Sequence, residues 1–464
     1  MKKSLVALAV LAATGAYAQS SVTLYGIVEA TTDIAYKRDI DRSTTTNTFN
    51  AAGNGLASTV TSSNSTQKNG FRVQDGSDQG TGTSRIGFRG TEDLGGGLKA
   101  NFVLEMGLRI DDGCTTLTAA GGCDNGGNSL NSGGSTFGRN AWGGLSGGFG
   151  EVRLGRQVLG SFGVQANSVA AGSSLGLYES SAAFYLPMGG VRFSNAIKYL
   201  SPNFGGFTAN LTLAAPETVG PTSATSTAAN GALTTNSTSR RTGVDLALEY
   251  ANGPAYVGFG YNKRDTGFGT SSTTPVAGLF PGTILAINAP GTATAYTLGG
   301  AYDLGVVKPF INYTRQKTDL NGSSLGFVGV APGTNTFNST TGDTTARALS
   351  IGLRAPVGAF TVIAGYGRVV SSANTVVTAI SAAGITSTTT GRADERRNSF
   401  QLGTQYALSK RTLLEANYGY TKLRSNGTSV DTQAGNLVPV GRTERLDNGN
   451  DRISAFNVGL KHSF

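Results

Sequence analysis

The chain ends on FNVGLKHSF, Phe456 to Phe464, where Phe456, Val458, Leu460, His462 and Phe464 are apolar or aromatic and the residues between them are small or polar. Chain termini are ordinarily loose and polar, because nothing ties them down. A strand with one apolar face that runs to the last atom of the chain implies neighbours on both sides. The rest of the sequence indicates what those neighbours are.

The composition argues against a dense soluble core. Of 464 residues 68 are Gly, only 3 are Met and 1 is Trp, and the hydrophobic fraction is 38%, which is low for a globular interior. The charged fraction of 14% is low as well, yet the apolar residues recur with period 2 instead of scattering, which favours strands over a disordered coil.

The first residues, MKKSLVALAVLAATGAYAQ, combine two lysines, an apolar stretch from Leu5 to Ala13 and the small-residue pattern Ala16-Tyr17-Ala18. They read as a cleavable signal peptide over 1–18, leaving a mature chain of 19–464, since the apolar stretch is too short to span a bilayer. Removing Lys2 and Lys3 lowers the formal charge from +9 to +7 (9 − 2 = 7). An exported chain meets oxidising conditions, and the cysteines, Cys114 and Cys123, share one Gly-rich stretch, CTTLTAAGGC. A local disulfide is expected there, two free thiols being the other reading. With a single His in the chain, His462, no metal site is expected, and nothing points to a cofactor or to nucleic acid.

Period-2 segments come in pairs joined by tight turns. Val244, Leu246, Leu248 and Tyr250 lead through Ala-Asn-Gly-Pro (251 to 254) into Ala255, Val257, Phe259 and Tyr261. Tyr296, Leu298 and Tyr302 turn at Asp303-Leu304-Gly305 into Val307, Ile311 and Tyr313, and the pattern repeats at APVGA, ALSKR, LGGG, SGGFG and SPNFGG. With the segment around Val22, Leu24 and Val28 and the terminal strand, about sixteen strands result, most near the roughly 9 to 11 residues that a tilted membrane strand needs. Between hairpins lie long polar stretches, approximately 38–83, 110–136, 158–190, 216–240, 265–292, 319–345, 371–396 and 424–450.

This strict alternation of short and long connections puts all short turns at one end of a sheet, as in an outer-membrane barrel, whereas a soluble sandwich has no reason to segregate loop lengths. Outward-register Tyr199, Phe207, Tyr250, Tyr302 and Tyr406 beside the short turns suit an aromatic girdle. The expected fold is therefore all-β, a 16-stranded antiparallel transmembrane β-barrel with short periplasmic turns and long extracellular loops. The terminal strand closes it against the preceding strand and the first, around Val22 to Ala30.

The chain resembles the general diffusion porins of Gram-negative bacteria, of the type found in Neisseria, Bordetella and Burkholderia relatives. The resemblance rests on SSVTLYGIVEA (20 to 30), SRIGFRGTEDLGGGLKANF (84 to 102), FGEVRLGRQ (149 to 157), SNAIKYLSPNFGGF (194 to 207) and the terminal GLKHSF. It implies a homotrimer of sixteen-stranded barrels in the lipid bilayer of the outer membrane, each with its third long loop folded into the lumen. It also implies that the terminal strand, with Phe456, Val458, Leu460 and Phe464, serves as the signal read by the barrel assembly machinery.

The third long stretch, 158–190, carries many apolar residues and a single charge, Glu179. That suits a packed interior, either the lumen or a buried subunit contact. By register from Ile86, Phe88, Val152, Leu154, Ile197 and Tyr199, the side chains of Arg85, Arg89, Arg153, Arg192 and Lys198 face inward. By distance from the short turns, Arg85, Arg192, Glu105 and Glu29 reach mid-barrel height. Arg139 and Arg156 do so too, within Gly-rich surroundings that leave their register open. Arg85, Arg192, Glu105 and Glu179 are the expected constriction, with Arg89, Arg139, Arg153, Arg156, Lys198 and Glu29 as further lining. Arginines facing Glu179 across a narrow passage would create a transverse field that sorts solutes by charge. One departure from the enteric porins is the lack of a Pro-Glu-Phe-Gly-Gly stretch in this loop.

The expected function is passive diffusion of small hydrophilic solutes and ions through the outer membrane, with anion preference suggested by the +7 charge. Two alternatives are a substrate-specific channel and a barrel-anchored adhesin or receptor presenting the Thr/Asn/Ser-rich loops. An enzyme is not expected, because the lone imidazole sits in the outward register and leaves no histidine-dependent site. The disulfide yields a direct prediction: mass spectrometry of the unreduced, alkylated protein will find no free thiol at Cys114 or Cys123.

Overall fold

The computed structural model describes residues 21–49, 55–69, 72–74, 84–108, 110, 136–170, 191–215, 224–228, 231–238, 242–265, 268–273, 284–289, 291–327, 335–381, 386–434 and 439–464. The signal-peptide segment 1–18, Cys114, Cys123 and Glu179 lie outside the described residues. One antiparallel sheet contains every strand, and sixteen of them form a closed circuit. In chain order these are β1 (Ser21–Phe49), β2 (Arg85–Gly95), β3 (Leu98–Gly107), β4 (Asn140–Gly147), β5 (Gly150–Val158), β6 (Arg192–Leu200), β7 (Phe207–Ala214) and β8 (Gly243–Asn252). They continue as β9 (Ala255–Asp265), β10 (Gly291–Tyr302), β11 (Lys308–Phe327), β12 (Asn335–Val357), β13 (Phe360–Ser381), β14 (Thr386–Ala407), β15 (Thr412–Ala434) and β16 (Pro439–Ser463). Six further short strands, such as Gly55–Asn69 on β1, extend the sheet from the long connections.

Each strand pairs with its successor, and β16 returns to β1 from Ile27↔Ser463 upward. The seam is sealed at its lower end by Gly26 and Phe464, whose backbone N–H groups each donate to the other's carbonyl at 3.1 Å. This is the neighbour that the terminal strand called for. Gly26 is also where the Phe464 ring lies, so that a Cβ there would strike the ring and come within 2.6 Å of the Arg85 carbonyl oxygen.

Alternation divides the wall into two faces. Outward residues are large and apolar yet exposed, among them Leu154, Ile197, Phe207, Leu298 and Ile311. Inward residues between them are polar and buried, such as Thr297, Asn312 and Thr314. A soluble protein would invert this arrangement; a barrel in lipid requires it. The expected girdle is present beside the short turns, with Phe207 stacked on Tyr250 at 4.5 Å and Phe360 on Tyr406 at 4.9 Å between ring centroids. The short turns fall where expected, and two of them depend on backbone that only glycine adopts cheaply: Gly96 and Gly97 at φ 62° and 81°, and Gly253 at φ 56°.

Strand length departs from expectation. β1 runs 29 residues, and β11 to β16 run 20 to 25 each. Much of 38–49, 319–327, 335–345, 371–381, 386–396, 424–434 and 439–450 is therefore strand and not loop. Stretches such as RSTTTNT have no apolar face and no period-2 signal, but their Thr residues suit extended backbone and their ladder continues in register. By contrast β2 to β7 run only 8 to 11 residues.

Substituting Gly26→Val should overpack the seam and cost about 1 to 3 kcal/mol. The check is urea unfolding of the barrel followed by its heat-modifiable gel shift, with a midpoint equal to wild type counting against the seam's role.

Candidate functional site

Basic side chains on and beside the short strands β2 to β6 gather on the inner wall. Arg85 opens β2 and Arg192 opens β6, both at the long-loop ends of their strands. Glu105 on β3 is buried between them; its carboxylate accepts from Arg139 Nε at 2.8 Å, from Tyr25 Oη at 3.0 Å and from Asn140 Nδ2 at 3.3 Å. Arg85 Nε lies 3.7 Å from the same carboxylate. Arg192 is within electrostatic range of Arg139, Glu105, Arg156 and Arg85, and its Nε is buried with no hydrogen-bond partner among the described residues. Arg156 donates from Nε to the Gly138 carbonyl and from Nη1 to Ser194 Oγ, each at 2.6 Å. Arg139 and Arg85 thus pair with Glu105, Arg192 and Arg156 stand beside them, and Glu29 is within electrostatic range of Arg85, so among the described residues the cations outnumber the carboxylates and the cluster keeps a net positive charge.

Simple counting along β6 does not hold throughout. Asn195 takes φ 48° and the pairing with β5 shifts between Gly155 and Gln157. Phe193 is buried with Leu159 and partly buried Phe162 instead of joining Ile197 on the outer surface. Glu105 sits on the same wall as the arginines and is paired with Arg139 and Arg85.

The further lining residues occupy the same inner face. Below Arg85, Arg89 stands over the Tyr25 ring at 5.3 Å, and Arg153 stacks on Trp142 at 4.1 Å while bonding Glu151 at 2.6 Å. Glu29, which is buried, lies 3.4 Å from Lys461 Nζ on the neighbouring strand β16. Lys198 Nζ donates to the Val158 carbonyl at 3.0 Å. Phe456, Val458, Leu460 and Phe464 are exposed on the outer face of β16.

The chain after β5 turns inward and forms α1 (Gly160–Asn167). This helix begins after Leu159, which offers no capping side chain. Its first N–H groups are satisfied from the wall: Asp245 Oδ2 on β8 accepts from Gly160 N at 2.8 Å and Ser161 N at 3.2 Å, and Asp245 Oδ1 accepts from Ser161 Oγ. A carboxylate at a helix N-terminus is favoured by both the unpaired donors and the dipole. Farther along, Gln165 Nε2 donates to Thr314 Oγ1 at 3.2 Å and Asn312 Nδ2 donates to Ser168 Oγ at 2.8 Å. Val169 and Ala170 pack with Ala301, Phe310 and Ile363. Gly299 makes this approach possible, since a Cβ there would overlap Ser168.

Tyr25, Trp142 and Asp245 were not among the residues expected at the site. Asp245 was within reach of the same reasoning, because Val244, Leu246 and Leu248 face outward and the acid between them must face in. Nothing in the sequence indicated which element it would meet.

A closed antiparallel barrel with a lipid-compatible exterior, a polar wall and short turns at the end that carries the seam is an outer-membrane β-barrel. Residues 4–426 match the Gram-negative porin family, and the chain belongs to that family. Outer membrane porin protein 32 of Delftia acidovorans is 31% identical, with 100% of both chains covered. An outer membrane porin protein of Bordetella pertussis is 30% identical over 96% of this chain and 100% of its own. Among solved structures, an anion-selective porin from Comamonas acidovorans aligns over 96% of this chain and 100% of its own at 24% identity with a TM-score of 0.48. The protein is an outer-membrane porin.

The contacts of α1 carry a prediction. Asp245→Ala leaves two backbone donors and a hydroxyl without their acceptor, weakening the helix's attachment by about 2 to 3 kcal/mol. Limited proteolysis should then cut within 158–190 faster than in wild type, and single-channel current should become noisier. Unchanged cleavage and noise would show that the helix is held otherwise.

Proposed function

We propose that the barrel is a water-filled channel for passive diffusion of small hydrophilic solutes and ions, anion-preferring, in which loop 158–190 narrows the lumen. No reaction is catalysed. The observation that carries this reading is the group of Arg85, Arg139, Arg156 and Arg192 around Glu105, with α1 packed on the inner wall of β8 to β11. Arginine stays protonated at any physiological pH, so the group offers fixed positive charge to a passing anion. The loop narrows the aqueous path, and a narrow path between low-dielectric walls strengthens the effect of each charge. Glu179 is the acid proposed to face this wall.

The reading extends to a homotrimer and to recognition of the last strand by the barrel assembly machinery. Membership of the porin family supports the first. The second is supported by the exposed outer face of Phe456, Val458, Leu460 and Phe464 at the seam. Cleavage of 1–18 before assembly completes the proposal.

Charge reversal tests the filter. Changing one charge from + to − at about 8 Å alters an ion's energy by roughly 1 to 4 kcal/mol for effective dielectric constants between 80 and 20, several times RT at the upper end. Arg192→Glu should therefore shift the zero-current potential in a tenfold salt gradient toward cation preference. Lys317→Glu, at an exposed residue paired with Asp319 at 2.8 Å, should barely move it. Equal shifts, or none, would place selectivity elsewhere.

A further inference from the structure

Toward the short-turn end of the lumen, below the Glu105 cluster, β1 to β5 enclose an open basin of about 390 Å³. Its residues follow from the register. One inner row runs from Thr23 on β1 through Arg89 on β2 and Val103 on β3 to Trp142 on β4. The next row toward the turns holds Thr91, Asn101, Gly144 and Arg153 on β2 to β5.

Trp142 is the single tryptophan of the chain. In a membrane barrel indole rings ordinarily mark the lipid interface on the outer surface. Leu145, an odd number of residues further on, is exposed on that surface, so Trp142 faces the lumen, where it lines the basin half-buried. The Arg153 guanidinium lies over its ring at 4.1 Å. Gly144 makes this stacking possible, because a Cβ there would come within 2.5 Å of the Val152 carbonyl oxygen and 3.2 Å of the Arg153 stem.

On the opposite side of the basin Arg89 stands over the Tyr25 ring at 5.3 Å. The two arginines differ in their counter-charge. Arg153 is bonded to Glu151 Oε2 at 2.6 Å, and Asn101 Nδ2 reaches Oε1 of the same carboxylate at 3.4 Å. Arg89 is exposed to the lumen and has no ion pair among the described residues, so it is the uncompensated charge of the basin. Neighbouring strands lie about 4.8 Å apart, which sets Arg89 and Trp142 across about 10 Å from each other with only the short Val103 between them.

A guanidinium stacked on a ring is held in one orientation, with its N–H edge free to take a carboxylate through two parallel hydrogen bonds. An indole offers its face to a further flat ring. Glu151 at the far end disfavours a second negative group. We propose that this basin is a binding site for aromatic monocarboxylates at the periplasmic end of the lumen, with the carboxylate on Arg89 and the ring over Val103 against Trp142. The proposal rests on the lumen being open to water, as the channel reading holds, and not on which ion the filter above prefers.

The test reads Trp142 itself, which as the sole indole reports the site without a label. The full folded protein in detergent micelles is titrated with sodium benzoate at constant ionic strength while indole fluorescence is followed. Benzoate should change the emission saturably. Benzamide keeps the ring and loses the charge, cyclohexanecarboxylate keeps the charge and loses the flat ring, and phthalate adds a second carboxylate. Each should bind on the order of tenfold more weakly or worse. R89Q should lose benzoate affinity by a similar factor while keeping the heat-modifiable gel shift of a folded barrel, and K317Q, on the outer surface, should match wild type. No saturable change with benzoate, equal affinity for any of the three analogues, or wild-type affinity in R89Q would overturn the proposal. Single-channel conductance separates the two readings. A barrel that conducts with no fluorescence response loses the binding site and keeps the channel, and one that responds to benzoate without conducting keeps the site and loses the channel.

Discussion

In the hydrocarbon core of a bilayer no water is available to satisfy a peptide group, so each N–H and C=O within it must find a partner in the chain. For a sheet this allows no edge, and the remaining architecture depends on closing it. Closure is achieved where the terminal strand meets the first, at Gly26 and Phe464, with reciprocal backbone bonds of 3.1 Å. The aromatic terminus and the glycine are complementary halves of that joint, since the ring occupies the space that a side chain on residue 26 would need. An open seam would leave two rows of unpaired backbone groups facing lipid, at several kcal/mol for each group.

Once the sheet is closed, alternation leaves no choice of face. Every second residue meets lipid and the others meet the lumen, which is why Leu298 is exposed and Thr297 beside it is buried. Charges follow the same division with different consequences. A cation pointing inward shares a confined space with other strands, and a nearby carboxylate is readily supplied, as Glu105 is for Arg139 and Asp451 for Arg42. A cation pointing outward has only its neighbours on the sheet, as Lys317 has Asp319 and Arg392 has Asp394.

The sequence disclosed whatever depends on period and turn chemistry. Val244 to Tyr261 is legible as a hairpin because four apolar residues alternate on each side of an Asn-Gly turn, and the structure pairs Tyr250 with Val257 as that reading requires. The inward register of Arg85 and Arg89 follows from Ile86 and Phe88 in the same way. Legibility ends where the pattern carries no amplitude. Residues 43–48 are Ser, Thr and Asn on both faces, so their continuation as strand could not be distinguished from loop. A single positive φ at Asn195 re-aims Phe193 toward α1, and no composition rule marks that position. Arg139 and Tyr25 meet at Glu105 from segments 114 residues apart, an encounter that depends on barrel closure and not on any local motif.

The helix inside the barrel makes the same point about where positional information resides. Eight residues are too few to hold a helix in isolation, since a nucleus is costly and such a length is marginal even for favourable sequences. α1 also includes two glycines and lacks a cap of its own. What stabilises it is supplied by strands distant in sequence: the Asp245 carboxylate at its start, Thr314 at its side and Asn312 at its end. The path of residues 159–170 is therefore set largely by the wall on which they lie. Porins of similar loop sequence but different inner-face residues on β8 to β11 would seat this segment differently, and the passage beside it would change shape without any change in the loop. On the proposed reading of the pore, selectivity is encoded jointly, by arginines on and beside β2 to β6 that supply charge and by small and polar residues on β8 to β11 that determine how closely the loop brings a solute to them.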